Sequence, residues 1–123
     1  MKKDETIQNY LEAIYIISLN KTDVKAIDIS KYLGFSRPTV SIAIKQLEND
    51  GYISINNNAI SLTNKGNDIA ITMYERHEFI ANALIKLGVS EKQAYEDSCL
   101  IEHDISNESF DALKEALENY LKK

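Results

Sequence analysis

The sequence predicts a mainly α chain in which a helix-turn-helix pair is followed by a two-stranded β wing and then by three more helices. Three observations predict it. Apolar residues recur at helical spacing in every segment but one; the exception, "YISINNNAISLT", alternates; and Ser, Gly and the single Pro stand where helices should start and stop.

Taken in order, the first helix runs from about Thr6 to Leu19, with Ile7, Tyr10, Leu11, Ile14, Tyr15 and Ile17 as its apolar stripe. A short helix from about Ile27 to Leu33 ends at Gly34, a residue that readily takes the left-handed conformation of a helix end. Ser36 caps a second helix with Pro38 in its first turn, running to about Asn49 before Gly51. Then Tyr52/Ser54 alternate with Ile53/Ile55, Asn56, Asn57 and Asn58 form a polar tip, and Ala59 to Leu62 return as a second strand. Thr63 or Asn64 caps a long helix from about Lys65 to Leu87, ended by Gly88. Ser90 with Gln93 predicts a capping box for a helix to about His103, and Ser106 caps a last helix through Tyr120.

At 123 residues and 44% hydrophobic, the chain can bury a core as one domain or as two small lobes sharing a helix. The expected division is 1–72, holding the helix-turn-helix and wing, and 73–123, helical, with the helix over 65–87 common to both. No apolar run approaches the roughly 18 residues of a membrane span, and "MKKDETIQNY" lacks the apolar stretch of a signal peptide, so a cytoplasmic location is expected. One Cys cannot form an internal disulfide, which suits a reducing compartment and leaves the thiol for chemistry or a metal.

The net charge of −5 argues against a nucleic-acid binder until it is divided along the chain. Residues 1–72 carry eight basic and eight acidic side chains, whereas residues 73–123 carry six against eleven, so all the excess acid lies in the second part. A neutral first part permits DNA binding, because local placement of Lys and Arg matters more than the sum, but it predicts modest intrinsic affinity.

In a helix-turn-helix the N-terminal residues of the second helix meet base edges in the major groove. The exposed face of that helix would offer Ser36, Arg37, Pro38, Thr39, Ser41 and, one turn on, Lys45, leaving Val40, Ile44 and Leu47 for the core. Small hydroxyls, an Arg and a Pro suit close approach to phosphates and to a thymine methyl. The bland alternative is a helical hairpin with an edge ribbon and no ligand. The wing at the right distance after the pair favours DNA.

"CLIEH" raises a separate question. At about 100° per residue, Cys99, Glu102 and His103 share one narrow arc of a helix, so a thiol, a carboxylate and an imidazole project together. That is either an ordinary solvated turn with a small buried Cys or part of a metal site. His77, the only other His, lies on the stripe Met73, His77, Ile80, Leu84, where a lone His is more often a satisfied core histidine than a ligand. Asn9 and Glu12 stand at i, i+3 beside the first helix's apolar stripe, so three helices each carry ligand-type groups near an apolar seam.

"NYLEAIYII", "DISKYLGFSRPTVSIAIKQLENDGYI", "ISLTNKG", "RHEFIANAL" and "CLIEHDIS" together resemble the diphtheria toxin repressor and manganese transport regulator family of metal-dependent repressors, over essentially the whole chain. The resemblance implies a winged helix-turn-helix followed by a helical dimerisation domain, with a divalent cation between the first helix and the dimerisation helices. Its ligands fall on Asn9, Glu12, His77, Cys99, Glu102 and His103. Glu12, His77, Glu102 and His103 match family ligands directly. Cys99 stands where iron-dependent members have Cys and manganese-dependent members a carboxylate, and Asn9 where familiar members have Asp or Met. An ancillary site would need a carboxylate and a His near Ala81 and Tyr95, so none is expected. With the sequence ending at Lys123, the short two-domain form without the SH3-like third domain is expected.

Thiolate and imidazole favour Fe(II), Co(II), Ni(II) or Zn(II) over Mn(II). Cys99 makes Fe(II) the expected physiological cation, with Mn(II) next and the others as in-vitro substitutes. The expected function is a homodimeric repressor that binds double-stranded operator DNA when metal-loaded and controls metal-homeostasis genes, with no organic substrate, no membrane and no catalytic residues. Two readings stand against it. One is a metal-independent winged-helix regulator; the other is a small metal hydrolase, which would need open coordination and a separate base.

Overall fold

A computed structural model describes residues 3–122. The outermost residues of the two expected domains, 1, 2 and 123, lie outside the described residues. The elements are α1 (Lys3–Ser18), α2 (Ala26–Leu33), α3 (Arg37–Asn49), β1 (Ile53–Asn56), β2 (Ala59–Leu62), α4 (Asn64–Lys86), α5 (Glu91–Ile101) and α6 (Asn107–Leu121). The chain divides into two compact units, Met1–Thr72 and Met73–Lys123.

The first unit is organised by one apolar cluster. Tyr10, Leu11 and Ile14 of α1, Ile29 of α2, Val40, Ile44 and Leu47 of α3, and Ile53 and Ile60 of the wing are all buried in it. On α1 and α3 those positions recur three or four residues apart along one face, and Ile53 and Ile60 lie on one face of the wing, which is why the elements close on one another. Gly34 ends α2 at φ 74°, and its amide donates to Ser30 O. Ser36 caps α3, its Oγ accepting from the Thr39 amide.

In the wing, Asn56 pairs with Ala59 as the last rung of the antiparallel ladder. The tip is therefore shorter than the three-Asn sequence predicts: Asn57 and Asn58 alone make the turn, at φ 51° and 67°, a two-residue conformation that Asn tolerates. The wing also gains a bridge that alternation could not reveal, Ile60 N donating to Val24 O at 2.8 Å.

"LTNKG" fixes the start of α4. Thr63 Oγ1 accepts from the Gly66 amide at 3.2 Å and donates to Gly51 O at 2.6 Å, while Lys65 Nζ reaches Asp50 O at 3.1 Å. Gly66 is required by contact, because a Cβ there would stand 2.1 Å from Tyr52 O.

In the second unit Ser90 caps α5 and Ser106 caps α6. The predicted capping box at Ser90 is only half formed: its Oγ accepts from the Gln93 amide, but the Gln93 side chain turns to Asp97 Oδ1 at 2.9 Å. α5 also stops at Ile101, two residues short of His103, so Glu102 caps it and His103 begins the turn into α6. Phe79 and Phe110 meet edge-on, with centroids 5.8 Å apart. Among the described residues no helix is long and apolar enough to cross a membrane.

Candidate metal centre and nucleic-acid interface

In the second unit α4 and α5 meet through three successive turns of α5. Tyr95 Oη donates to Glu78 Oε2 at 2.8 Å, Ser98 Oγ donates to His77 O at 2.7 Å, and Glu102 follows one turn later. The hydrogen bond to Glu78 pushes the Tyr95 hydroxyl's pKa above its ordinary value, with desolvation adding to it. Ala94 and Ser98 are fully buried.

The closest convergence is around Glu102. Its carboxylate is 1% exposed, with Oε2 3.1 Å from His77 Nδ1 and Oε1 3.3 Å from His103 Nε2. Cys99 Sγ lies 3.4 Å from the same His77 Nδ1 and, unlike the carboxylate, is exposed. A buried carboxylate with an imidazole against each oxygen, and a thiol against one of those imidazoles, is a chain of donor groups of the kind that bind divalent transition metals, and within this unit His77 and Glu102 bring theirs close enough to share one cation. Burying such a carboxylate carries a desolvation cost that a cation in the cluster would offset. These residues therefore fit a metal.

The structure thus brings together His77, Cys99, Glu102 and His103 within the second unit. His103 arrives from the turn after α5 and not from the helix itself, while Glu102 at the cap keeps near-helical backbone angles, φ −59° and ψ −28°. Asn9 and Glu12 lie in the first unit on α1, Asn9 half-buried and Glu12 buried.

In the first unit Ser36, Arg37, Pro38, Thr39, Ser41 and Lys45 are all exposed, while Val40, Ile44 and Leu47 are buried. Arg37, Ser41 and Lys45 of α3 line a groove of about 450 Å³ together with Lys25 and the wing residues Ile55 and Asn58. The groove gathers three cations in a unit of no net charge, which suits a phosphate backbone. Ser36 is already engaged, its Oγ 2.8 Å from Thr39 Oγ1 as well as capping α3, so its first role is to set the helix start.

Two residues were missed by sequence reasoning. Arg76 is 6% exposed and donates to Glu102 O and Ile105 O at 3.0 and 3.1 Å and to Asn107 Oδ1. Ser98 is 0% exposed. The available signals were an Arg three residues after Met73 on an apolar stripe and a Ser four residues from both Ala94 and Glu102.

Comparison with known proteins places both stretches of the chain in one family. Residues 4–58 match the model of the iron dependent repressor N-terminal DNA binding domain, and residues 63–122 that of the iron dependent repressor metal binding and dimerisation domain. The transcriptional regulator MntR of Salmonella typhimurium is 35% identical over 109 residues, covering 88% of this chain and 69% of that protein. The chain belongs to the iron-dependent repressor family. This is the diphtheria toxin repressor and manganese transport regulator family of the sequence resemblance. An uncharacterized HTH-type transcriptional regulator of Methanocaldococcus jannaschii is 33% identical, covering 94% of this chain and 95% of that one.

Among solved members of the family fold, a manganese-dependent transcriptional repressor in complex with manganese superposes with a TM-score of 0.82 at 24% identity, covering 91% of this chain and 52% of its own. The metal-dependent transcriptional regulator MtsR superposes with a TM-score of 0.83 at 25% identity, covering 91% and 53%. The chain spans about half the length of each of these two solved structures. His77, Cys99, Glu102 and His103 all fall within the stretch matched by the family's metal-binding domain, and the exposed face of α3 within its DNA-binding domain.

Proposed function

We propose that the chain is a metal-activated transcriptional repressor that binds double-stranded operator DNA as a homodimer. The observation that carries this reading is Glu102, a buried carboxylate with one imidazole on each oxygen and the Cys99 thiol against one of them. His77, Cys99, Glu102 and His103 hold the cation in the second unit. Asn9 and Glu12 of α1 join the same cation, Glu12 by carboxylate and Asn9 by amide oxygen. Joining ligands from both units selects one arrangement of the reading helices, and the cation shifts the equilibrium only by its higher affinity for that arrangement. A bound cation also offsets the acidic charge that otherwise opposes DNA.

Arg37, Pro38, Thr39 and Ser41 meet the major groove, with Ser36 and Lys45 on flanking phosphates. One unit reads only a few base pairs, so a two-fold dimer on a palindromic site supplies the rest of the specificity. In the second unit an entirely apolar cavity of about 160 Å³, with Leu87, Ile101 and Leu113 in its wall and each exposed, supports the dimer. The relatives are named transcriptional regulators, which supports a regulator of metal-homeostasis genes and not an enzyme. It also fits a cytoplasmic protein.

Cys99 favours Fe(II), since thiolate selects softer cations than the all-oxygen shells preferred by Mn(II). Mn(II) is the second reading, favoured by a structural relative described as manganese-dependent and in complex with manganese. Co(II), Ni(II) and Zn(II) serve in vitro. Calorimetric titration of metal-free protein with Mn(II), anaerobic Fe(II) and Zn(II), each followed by a DNA-binding assay and sedimentation, tests the reading. Metal-stimulated binding by a dimer is expected; DNA affinity indifferent to all three cations leaves a metal-independent winged-helix regulator.

A further inference from the structure

Arg76 and His77, neighbours on α4, grip the same residue from two sides. Arg76 Nη1 donates to the backbone oxygen of Glu102 at 3.0 Å, and His77 Nδ1 lies 3.1 Å from its carboxylate. The guanidinium then spans the turn that follows, donating to Ile105 O at 3.1 Å and to Asn107 Oδ1 at the first residue of α6. Its own position is fixed by the Phe110 ring, 5.1 Å away.

Two features make this more than incidental packing. The carbonyl of Glu102 lies at the end of α5, where carbonyls have lost their helical partners and carry the negative end of the helix dipole. A buried Arg meets that need, and its planar fork can serve several acceptors at once, which a Lys ammonium cannot match in geometry. Further, burying a guanidinium is costly unless its donors are satisfied; among the described residues Arg76 donates to two backbone carbonyls and an amide oxygen. All three lie between residues 102 and 107. That stretch carries Glu102 and His103.

We propose that Arg76 is a positioning residue of the metal centre: it fixes the turn over residues 102–107 so that Glu102 and His103 face His77 before a cation arrives. The proposal rests on the metal-centre reading above. Partners that orient metal ligands from outside the coordination sphere typically contribute about 10–100-fold in affinity.

The test uses Co(II), whose visible absorption reports both the geometry of its ligands and thiolate coordination, added to the full chain and to Arg76→Met, Arg76→Lys and Asn107→Ala. Leu117→Ala on α6 serves as a control that lowers stability without touching the turn. Arg76→Met should bind Co(II) about 10–100-fold more weakly with an altered spectrum. Arg76→Lys should be intermediate in both, and Asn107→Ala weaker than wild type by a smaller factor. Amide exchange in the metal-free Arg76→Lys protein should rise over residues 102–107 and not along α4.

Should Arg76→Met fail to fold, Arg76→Lys and Asn107→Ala decide. Unchanged Co(II) affinity and spectrum in Arg76→Lys, with wild type binding normally, overturns the proposal alone. So does a loss no larger than that in Leu117→Ala. Wild type that binds no Co(II) overturns the metal-centre reading, and this proposal with it.

Discussion

In the first unit the side chains proposed to meet DNA stand in water over a core of large apolar side chains, whereas the second unit's interior holds Arg76, Ser98 and Glu102 beside several alanines. Arg37, Thr39, Ser41 and Lys45 are exposed above fully buried Val40, and Leu11 and Ile29 are buried just as completely. Across the division Arg76, Ser98 and Glu102 are buried, where the first unit buries Glu12, and Ala81, Ala83 and Ala94 supply much of the apolar interior. An apolar core holds its unit together without assistance. An interior with buried charged groups and small apolar ones gains more from what it binds, and on the proposed reading that is a cation.

The contrast can be broken most forcefully in the first unit's core. Leu11→Ala should cost about 2–5 kcal/mol, the usual range for truncating a buried Leu, read as a lower denaturant midpoint that saturating metal only partly restores. Gly66→Ala should come next, at about 1–3 kcal/mol for forcing a methyl into a packed site, because the new Cβ meets the Tyr52 carbonyl. If thermal unfolding of Gly66→Ala matched wild type, the junction between wing and α4 would be looser than described.

On the exposed face the effect moves from stability to binding. Arg37→Ala should leave the unfolding temperature within error, weaken DNA binding and, where the contact is to phosphate, lower the salt dependence by about one counterion. Equal affinity and equal salt slope for both proteins would remove Arg37 from the interface.

The smallest effect expected is at the start of α2. Lys21 Nζ lies 2.9 and 2.8 Å from the two carboxylate oxygens of Asp28, and the Lys25 amide also donates to it. The Lys21 hydrogen bond, then the Lys25 amide, hold the Asp28 carboxyl below its ordinary value. A carboxyl lowered in the folded state stabilises the protein above its unfolded-state pKa, and that stability is lost as pH falls through the folded one. Because the pair is at the surface, less than about 1 kcal/mol is at stake. Urea midpoints should fall more steeply on the acid side in wild type than in Asp28→Asn.

Much of this arrangement was legible in the sequence because local chemistry determined it. Ser36, Ser90 and Ser106 mark helix starts by side-chain caps, Gly34 marks an end by its left-handed backbone, and alternation marks the wing. The ligand-type residues of "CLIEH" were legible, but their placement was not: only Cys99 lies on α5, Glu102 caps it and His103 stands in the turn beyond. What needed the tertiary structure was the partner of each group. Gln93 looked like half of a capping box, yet Asp97 one turn on competes for its amide. α5 ends early where Arg76, 26 residues before, accepts the role of partner to the Glu102 carbonyl. Ser98 shows no function in the sequence until it is seen to hold the His77 backbone.

The central claim, that the cluster around Glu102 binds a cation, is tested most directly by the stabilisation that metal confers. Thermal unfolding of wild type and His103→Ala would be recorded without metal and with Mn(II) or anaerobic Fe(II). Because the His103 side chain is only 3% exposed, the variant should lose some metal-free stability through packing; the informative quantity is the increment on adding metal. A ligand present at 100 times its dissociation constant contributes about 2.7 kcal/mol. Wild type should show a clear upward shift in unfolding temperature, and His103→Ala should lose most of it. Equal shifts in the two proteins would mean that His103 is not a ligand and would contradict the account.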